Sequence, residues 1–450
     1  MAAPRPGGRR IAPVRSVSPG DTGDTDGGGG TDSPRTTERQ RRHGRHRRQR
    51  HTADTGGTGT STGAAQRRSG GTVSTRHGTH GTHHGTPATG DRPPCLDPLA
   101  RLRAPGDPDR DVYLTGTVFL DIILTGLDSA PVRGTESWAR GMGSSPGGVA
   151  NMATALARLG LRTSLAAAFG DDHYGDYCWD ALEQGEGIDL SLSRTVPGWH
   201  SPVTVSMAYE GERTMVSHGH EAPPPGPAPD CPPPARAAVA SLTPGRRETW
   251  IGQGARSGTR IFADVGWDES GRWDPADLAD LEHCEAFLPN AEEAMRYTRT
   301  DCPLAAAHAL AGRVPVAVVT LGSRGAYAVD GATGESAQVP AIAVEALDPT
   351  GAGDVFVAGF VTGTLAGWPL ADRLAFAGLT AALSVQEFGG SLSAPGWLEI
   401  AGWWRQVRSL TGQPPDALRR YAFLDELLPA DARPWPLRRA VPTIGFRPPV

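Results

Sequence analysis

The sequence predicts an α/β chain built on a mostly parallel sheet with helices on both faces. Three observations lead there. From Asp111 onward, strand-like and helix-like segments alternate, which is the order that crossovers between parallel strands require. The clearest strand, "VPVAVVTLG" at Val314–Gly322, is apolar on both faces, as a strand covered on both sides must be. "GVANMATALARLG" at Gly148–Gly160 sets Met152, Leu156 and Leu159 at helical spacing and ends on glycine, a normal helix stop.

Taken in order, "VYLTGTVF" at Val112–Phe119 predicts a strand, and the Gly148–Gly160 helix follows. "RTSLAAAFG" at Arg162–Gly170 predicts a buried strand and "YGDYCWDALEQG" at Tyr174–Gly185 a helix. "SPVTVSMAYEGERTMVSH" at Ser201–His218 alternates and predicts a hairpin turning at Glu210-Gly211. "APPPGPAPDCPPPA" at Ala222–Ala235 must be an extended loop, since proline removes donors and fixes φ. Strands are then expected at "TRIFADVGW" (Thr259–Trp267), at "HCEAFLPN" (His283–Asn290) and at Val314–Gly322. "DRLAFAGLTAALSVQEFGG" at Asp372–Gly390 predicts a small-residue helix that packs closely on its neighbours.

Composition divides the 450 residues into three parts. Residues 1–108 are rich in Gly, Thr, Ser, Pro, Arg and His with almost no large apolar side chains. They cannot bury enough surface to offset ordering and are expected to be disordered. Residues 109–411 are the ordered domain, and 412–450 a Pro/Arg-rich irregular tail. The first part is net basic while the whole chain is −5, so the domain is acidic. The run "RQRRHGRHRRQRH" at residues 39–51 offers phosphate contacts to a nucleic acid, or is a solvated tail. "GTHGTHHGT" at Gly78–Thr86 is a candidate only for adventitious metal.

The sequence contains no lysine, which excludes a phosphate loop ending in Gly-Lys-Ser/Thr. The five cysteines are scattered and form no Cys-x-x-Cys, as in a reduced cytoplasmic chain. No apolar run reaches membrane-spanning length, and no secretory h-region follows the first arginines. No Gly-x-Gly-x-x-Gly follows the first strand, which argues against a dinucleotide-dependent dehydrogenase.

The chemistry concentrates at "DPTGAGD", Asp348–Asp354, directly before the apolar run "VFVAGFVTGTLAG". If a helix starts there, its first N–H groups lack intrahelical partners and its dipole end is positive. Gly351, Ala352 and Gly353 leave those groups uncovered, so an anion can approach closely. The positive end should favour the ionised form of Asp354. An anion cradle beside a carboxylate base is the minimum apparatus for phosphoryl transfer to a hydroxyl. Alone, the stretch reads more simply as an ordinary loop with a helix-capping acid.

"DPTGAGDVFVAGF" resembles the C-terminal signature of the ribokinase-like carbohydrate kinases, the phosphofructokinase-B family. "SPGGVANMATALARLGLRTSLAAAFGDDHYG" resembles the family's N-terminal signature, "GTVFLDI" its opening strand with an Asp, "NAEE" its Asn-x-x-Glu motif, and "VVTLGSRGAY" its nucleotide-side strand and turn. The resemblance runs from about Tyr113 to Pro395. It implies a three-layer αβα sandwich with a small β lid, and an ATP-dependent kinase for a sugar or sugar-like hydroxyl.

By resemblance, Asp354 is the base, and Gly351, Ala352 and Gly353 the anion hole. Asp121, Gly147, Gly148 and Asn151 hold substrate hydroxyls. Asn290 and Glu293 organise Mg²⁺ through water. Thr320, Gly322 and Gly325 line the nucleotide. Asp348 and Thr350 fall where many members bind a monovalent cation such as K⁺. The lid comes from the segment after Asp121 and the hairpin around Arg213. Plainer readings stay open: Asp121 caps a strand end, Gly147-Gly148 is a turn, and Asn290 with Glu293 is a helix start. Asp264 stands between a strand-end and a substrate-side role, and Trp138, Trp199 and His200 between packing and facing the acceptor.

Two departures bear on the acceptor rather than on transfer. Val149 stands where the family takes a small residue or proline, and the Gly-Gly turn lacks the lysine of many sugar-phosphorylating relatives. A nucleoside acceptor on the same fold, or a catalytically silent sugar sensor, are the alternatives. Many relatives dimerise through lid strands, so a homodimer is an expectation from the resemblance alone.

Overall fold

The computed structural model describes residues 97–209, 212–225, 231–268, 270–410, 415–428, 439–440 and 443–446. The basic run at 39–51, the histidine-rich stretch at 78–86 and the Glu210-Gly211 turn lie outside the described residues.

The chain enters a central sheet with β1 (Arg110–Thr115), and then leaves it. β2 (Val118–Thr125) belongs to a second sheet, so the single strand expected over Val112–Phe119 is broken at Gly116-Thr117. The crowding at the break explains the glycine: a Cβ on Gly116 would lie 3.2 Å from the Cβ of Val149. β3 (Gly141–Gly148) pairs antiparallel with β2 along its whole length and leads into α1 (Val149–Arg158). The segment after α1 divides into β4 (Thr163–Ala166) and β5 (Ala168–Gly170); β4 stays in the central sheet while β5 turns away to pair with β6 (Arg194–Val196). Between them α2 (His173–Asp180) runs on into a π-turn at Ala181–Gly185. β7 (Val203–Tyr209) and β8 (Glu212–His218) form the expected antiparallel hairpin and join the second sheet beside β2.

The remaining strands rebuild the central sheet. These are β9 (Ala235–Leu242), β10 (Arg260–Val265), β11 (Ala286–Phe287), β12 (Val316–Thr320), β13 (Ala326–Asp330) and β14 (Ser336–Val339). β11 is only two residues long, far shorter than "HCEAFLPN" suggests. The strand order is β14-β13-β12-β11-β10-β9-β1-β4, parallel throughout except for the antiparallel pairs β12–β13 and β13–β14.

Helices α3 (Thr249–Arg256), α4 (Ala291–Thr298) and α5 (Pro303–Leu310) cover one face. Helices α6 (Ala352–Leu365), α7 (Leu370–Ser384) and α8 (Trp397–Ser409), with α1, cover the other. Alternate residues of β1 show the division: Val112 and Leu114 pack with Leu156, Phe360 and Leu379, whereas Tyr113 packs with Trp250 and Ile251. α6 and α7 approach closely because Gly359 leaves room; a Cβ there would lie 2.8 Å from the Ala377 Cα. The buried Arg158–Glu186 pair is held further by Leu392 and Ala394 carbonyls, which accept from Arg158.

Both ends of the domain depart from expectation. Leu99 is fully buried, and Arg103 pairs with Asp97 and Asp111, so ordered packing begins before residue 109. Beyond 412, α9 (Pro415–Arg420) and α10 (Leu424–Leu427) bury Tyr421 and Leu424 against α8, and β15 (Thr443–Phe446) pairs antiparallel with β3. Leu418, Phe423, Leu427 and Leu428 pack against the same core, and the spacing Leu418, Tyr421, Leu424, Leu428 is a helical stripe within the Pro/Arg-rich stretch. The second sheet reads β15-β3-β2-β7-β8. The four described cysteines, Cys178, Cys231, Cys284 and Cys302, are free.

Candidate active site

Open parallel sheets place ligands beyond the carboxyl ends of their strands, and the singled-out residues gather there and on the facing side of the β2/β7/β8 sheet. The turn before α6 matches the sequence reading. Gly351 is the residue before the first helical position, with φ +75°, and no side chain caps the helix. A Cβ on Gly351 would be 3.2 Å from Asn151 Cγ, whereas one on Gly353 would meet nothing within 4 Å. The first turn is therefore crowded on the Asn151 side and open on the other, as an anion cradle needs.

Asn151, buried in α1, donates its Nδ2 to Asp354 Oδ2 at 2.9 Å. Its Oδ1 has no hydrogen-bond partner among the described residues, which leaves an acceptor available to a ligand hydroxyl. Asp354 is pushed up to about 6 by burial, against the opposing pull of the Asn151 bond and Arg213. Burial, which disfavours the charged form, thus sets the direction of the shift. A carboxyl near 6 is still mostly ionised at pH 7 and is better matched to accepting a proton.

Asp121, near the middle of β2, is buried and lies over Gly147, where a Cβ would fall 2.0 Å from its Oδ2. Gly148 has φ +63°, and a Cβ there would stand 2.4 Å from the Thr117 carbonyl oxygen. Both glycines are required by close approach: Gly147 is the floor on which Asp121 rests, and Gly148 passes the Thr117 carbonyl. Burial, followed by the charges of Asp354 and Asp348, pushes Asp121 up to about 7, with Arg213 opposing. Arg213 reaches from β8 to donate to Thr350 Oγ1 at 3.2 Å, tying the lid sheet to the α6 turn. Sequence reasoning placed Arg213 only in a lid hairpin; its pairing partner is not legible from spacing.

Asp348 and Thr350 are both buried. The Asp348 carboxylate accepts from the Thr350 N–H at 3.0 Å and the Gly389 N–H at 3.3 Å. No ion pair among the described residues includes it.

Asn290 and Glu293 form a complete capping box at the start of α4. Asn290 Oδ1 accepts from the Glu292 and Glu293 N–H groups, and Glu293 Oε2 accepts from the Asn290 N–H. Glu293 is buried, which raises it. Thr320 lies beside this pair, its N–H bonded to the Pro289 carbonyl and its backbone bridged to Asn290. Gly322 and Gly325 follow at φ +59° and +98°. A Cβ on Gly325 would be 1.9 Å from the Val339 carbonyl oxygen, so packing alone demands glycine there.

Thus Asp121, Gly147, Gly148, Asn151, Thr350, Gly351 and Asp354 come together as one group, and Asn290, Glu293 and Thr320 as a second. Asp264, at the end of β10, joins them electrostatically. Burial, then Asp354, then Glu293, raise its carboxyl well above the ordinary range. Of the aromatic candidates, Trp199 is buried, Trp138 is 66% exposed, and His200 stacks edge-on with Tyr174 and His218.

The pfkB family carbohydrate kinase model matches residues 112–397. The chain belongs to the pfkB family of carbohydrate kinases. Among curated proteins, this pfkB member is 29% identical to a nucleoside kinase of Methanothermobacter thermautotrophicus over 303 residues, 64% of this chain and 93% of that one. It is 25% identical to Bacillus subtilis ribokinase over 306 residues, 64% and 96%. A shorter match to Schizosaccharomyces pombe ribokinase, 37% identical over 131 residues, takes in 41% of that protein. Arabidopsis thaliana ribokinase, solved with ribose and ATP, aligns with a TM-score of 0.55 at 24% identity, covering 65% of this chain and 98% of that one. Burkholderia thailandensis nucleoside kinase, solved with inosine, aligns at 0.54 and 20%, covering 66% and 97%. These likenesses establish the ribokinase fold: the large sheet is the central layer and the β15-β3-β2-β7-β8 sheet corresponds to the lid. The kinase class follows from family membership; the acceptor does not. Among the described residues no helix is long and apolar enough to cross a membrane.

Proposed function

We propose that the chain is an ATP-dependent carbohydrate kinase that moves the γ-phosphate onto a hydroxyl of a sugar or sugar-like acceptor. One observation carries the reading. The Asn151–Asp354 hydrogen bond joins the two family signatures across 203 residues of sequence, setting the base beside the residues proposed to hold the acceptor. Asp354 takes the acceptor proton while its hydroxyl oxygen bonds to phosphorus and the bond to the leaving ADP oxygen breaks. Gly351, Ala352 and Gly353 hold the transferring group through backbone N–H groups. Asp121, Gly147, Gly148 and Asn151 orient the acceptor, and Thr320, Gly322 and Gly325 flank the nucleotide. Lid closure through Arg213 excludes water, which would otherwise compete as acceptor.

The donor sets suit the expected ions. Glu293 has one oxygen beyond its capping bond, and a single carboxylate assisted by nucleotide phosphates is a common way to hold a water-clad Mg²⁺. Held there, Mg²⁺ would supply charge neutralisation for the transferring phosphates. Among the described residues Asp348 is a buried carboxylate answered by the Thr350 and Gly389 backbone N–H groups, and the Thr350 side chain stands beside it. That leaves negative charge for a monovalent cation such as K⁺ to offset. A nucleoside acceptor is the second reading, supported by the near full-length match to a nucleoside kinase. Asp354→Asn tests the assignment: kcat falls by about a thousandfold or more, with ATP binding changed less than about threefold. Turnover near that of the wild type would overturn it.

A further inference from the structure

Four strands of the lid sheet bring one polar residue each into a single cross-strand row. Ser145 of β3 is in register with Asp121, Asp121 with Thr204 of β7, and Thr204 with Ser217 of β8. Residues in register share a face. That face is the one turned to the site: Arg213, four residues from Ser217, reaches Thr350 from it, and Asp121 lies over Gly147. Thr204 Oγ1 and Ser217 Oγ are 2.9 Å apart. Ser145 is fully buried, and its Oγ has no hydrogen-bond partner among the described residues.

We propose that the Thr204–Ser217 hydroxyl pair binds hydroxyls of the acceptor beyond those held by Asp121, and so selects a polyhydroxylated carbohydrate over a nucleoside. This rests on the kinase reading above. Strands about 4.8 Å apart place the pair roughly 5–10 Å from Asp121 across the sheet, the distance of the far end of a hexose or polyol. Each hydroxyl donates one hydrogen bond and accepts two, so the pair can exchange its mutual bond for ligand bonds. A nucleoside would set a flat base in that place, and bases are held by stacking on rings. Toward the site β7 and β8 offer Thr204, Ser206, Ala208, Arg213, Met215 and Ser217, with no ring among them. The same pair is exposed, so a ligand can reach it.

The test is a coupled ADP-release assay on the full chain over pentoses, hexoses, polyols and nucleosides, followed by Thr204→Val and Ser217→Ala. The expected result is turnover of a carbohydrate above any nucleoside. Each variant should raise the acceptor KM about tenfold, while kcat and the ATP KM change less than about twofold. Ser217→Thr, which keeps a hydroxyl, should hold the acceptor KM near that of the wild type. An acceptor KM within twofold of wild type in both variants, or a nucleoside as the preferred acceptor, overturns the inference and leaves the kinase reading standing. Absence of turnover with every acceptor overturns the kinase reading and this inference with it.

Discussion

Removing the Asn151 amide should move the pH dependence of catalysis in a direction fixed by the geometry. Asn151 donates to the Asp354 carboxylate at 2.9 Å and favours its charged form, partly offsetting the burial that raises it to about 6. A hydrogen bond to a charged group contributes about 1.5–3 kcal/mol, and one pKa unit corresponds to about 1.4 kcal/mol. In Asn151→Ala the acid limb of kcat/KM should therefore rise by about one to two units, to between roughly 7 and 8. At pH 7 the ionised fraction of the base would fall from roughly nine-tenths to a half or less, while at pH 9 that part of the loss disappears. What remains at pH 9 reports lost acceptor contacts, so the two roles of Asn151 separate. The assay is kcat/KM from pH 5 to 9 with acceptor well below KM, for wild type and variant. A limb that stays in place or moves downward would refute the assignment of Asp354 as the titrating base.

Three further outcomes follow. Arg213→Gln should shift the same limb upward, because the guanidinium pulls down both Asp354 and Asp121; an unshifted pH profile would remove Arg213 from the site. Gly351→Ala should cost about 1–2 kcal/mol of stability for its left-handed backbone and a larger share of kcat, since the new Cβ presses on Asn151; thermal denaturation and turnover measured together check this. Asp354→Asn should raise the melting temperature at pH 8 but not at pH 4. A carboxyl raised in the folded state contributes stability that is present below its unfolded value near 3.8 and lost as pH climbs through about 6, so removing the charge matters only above that window; equal effects at both pH values would contradict it.

The parallel sheet was legible because its strands are covered on both sides, so apolar runs such as Val316–Thr320 announce themselves. The α6 turn was legible because glycines at Gly351 and Gly353 are meaningful only where backbone must stay bare. The lid was far less so. β3 reads "GMGSSPGG" and has none of the residues that favour strands; it is a strand because β2 lies beside it and because Gly147 must be small beneath Asp121. The break at Gly116 was hidden because the residues on both sides are good strand formers, and only the approach of Val149 shows why the chain must turn. The docking of Tyr421 and Leu424 was missed because the stripe Leu418, Tyr421, Leu424, Leu428 is short and sits among prolines and arginines, whose composition masked it.

The environment of Asp354 was only partly legible in the sequence. Spacing reveals a helix start, and a helix start argues for an ionised acid; spacing cannot reveal how much water the fold removes. Here the fold removes enough that burial is the first cause of the shift in Asp354, Asp121 and Asp264 alike. Three acids raised in one region would leave little driving force for ionisation if nothing opposed it. The opposition comes from Asn151, fixed in α1, and from Arg213, carried on β8 of the lid sheet. The first is part of the rigid core and the second belongs to the element that covers the acceptor. In a chain without a single lysine, the cation that lowers both Asp121 and Asp354 is carried on β8, and in the proposed mechanism the same contact would both tune these acids and help exclude water.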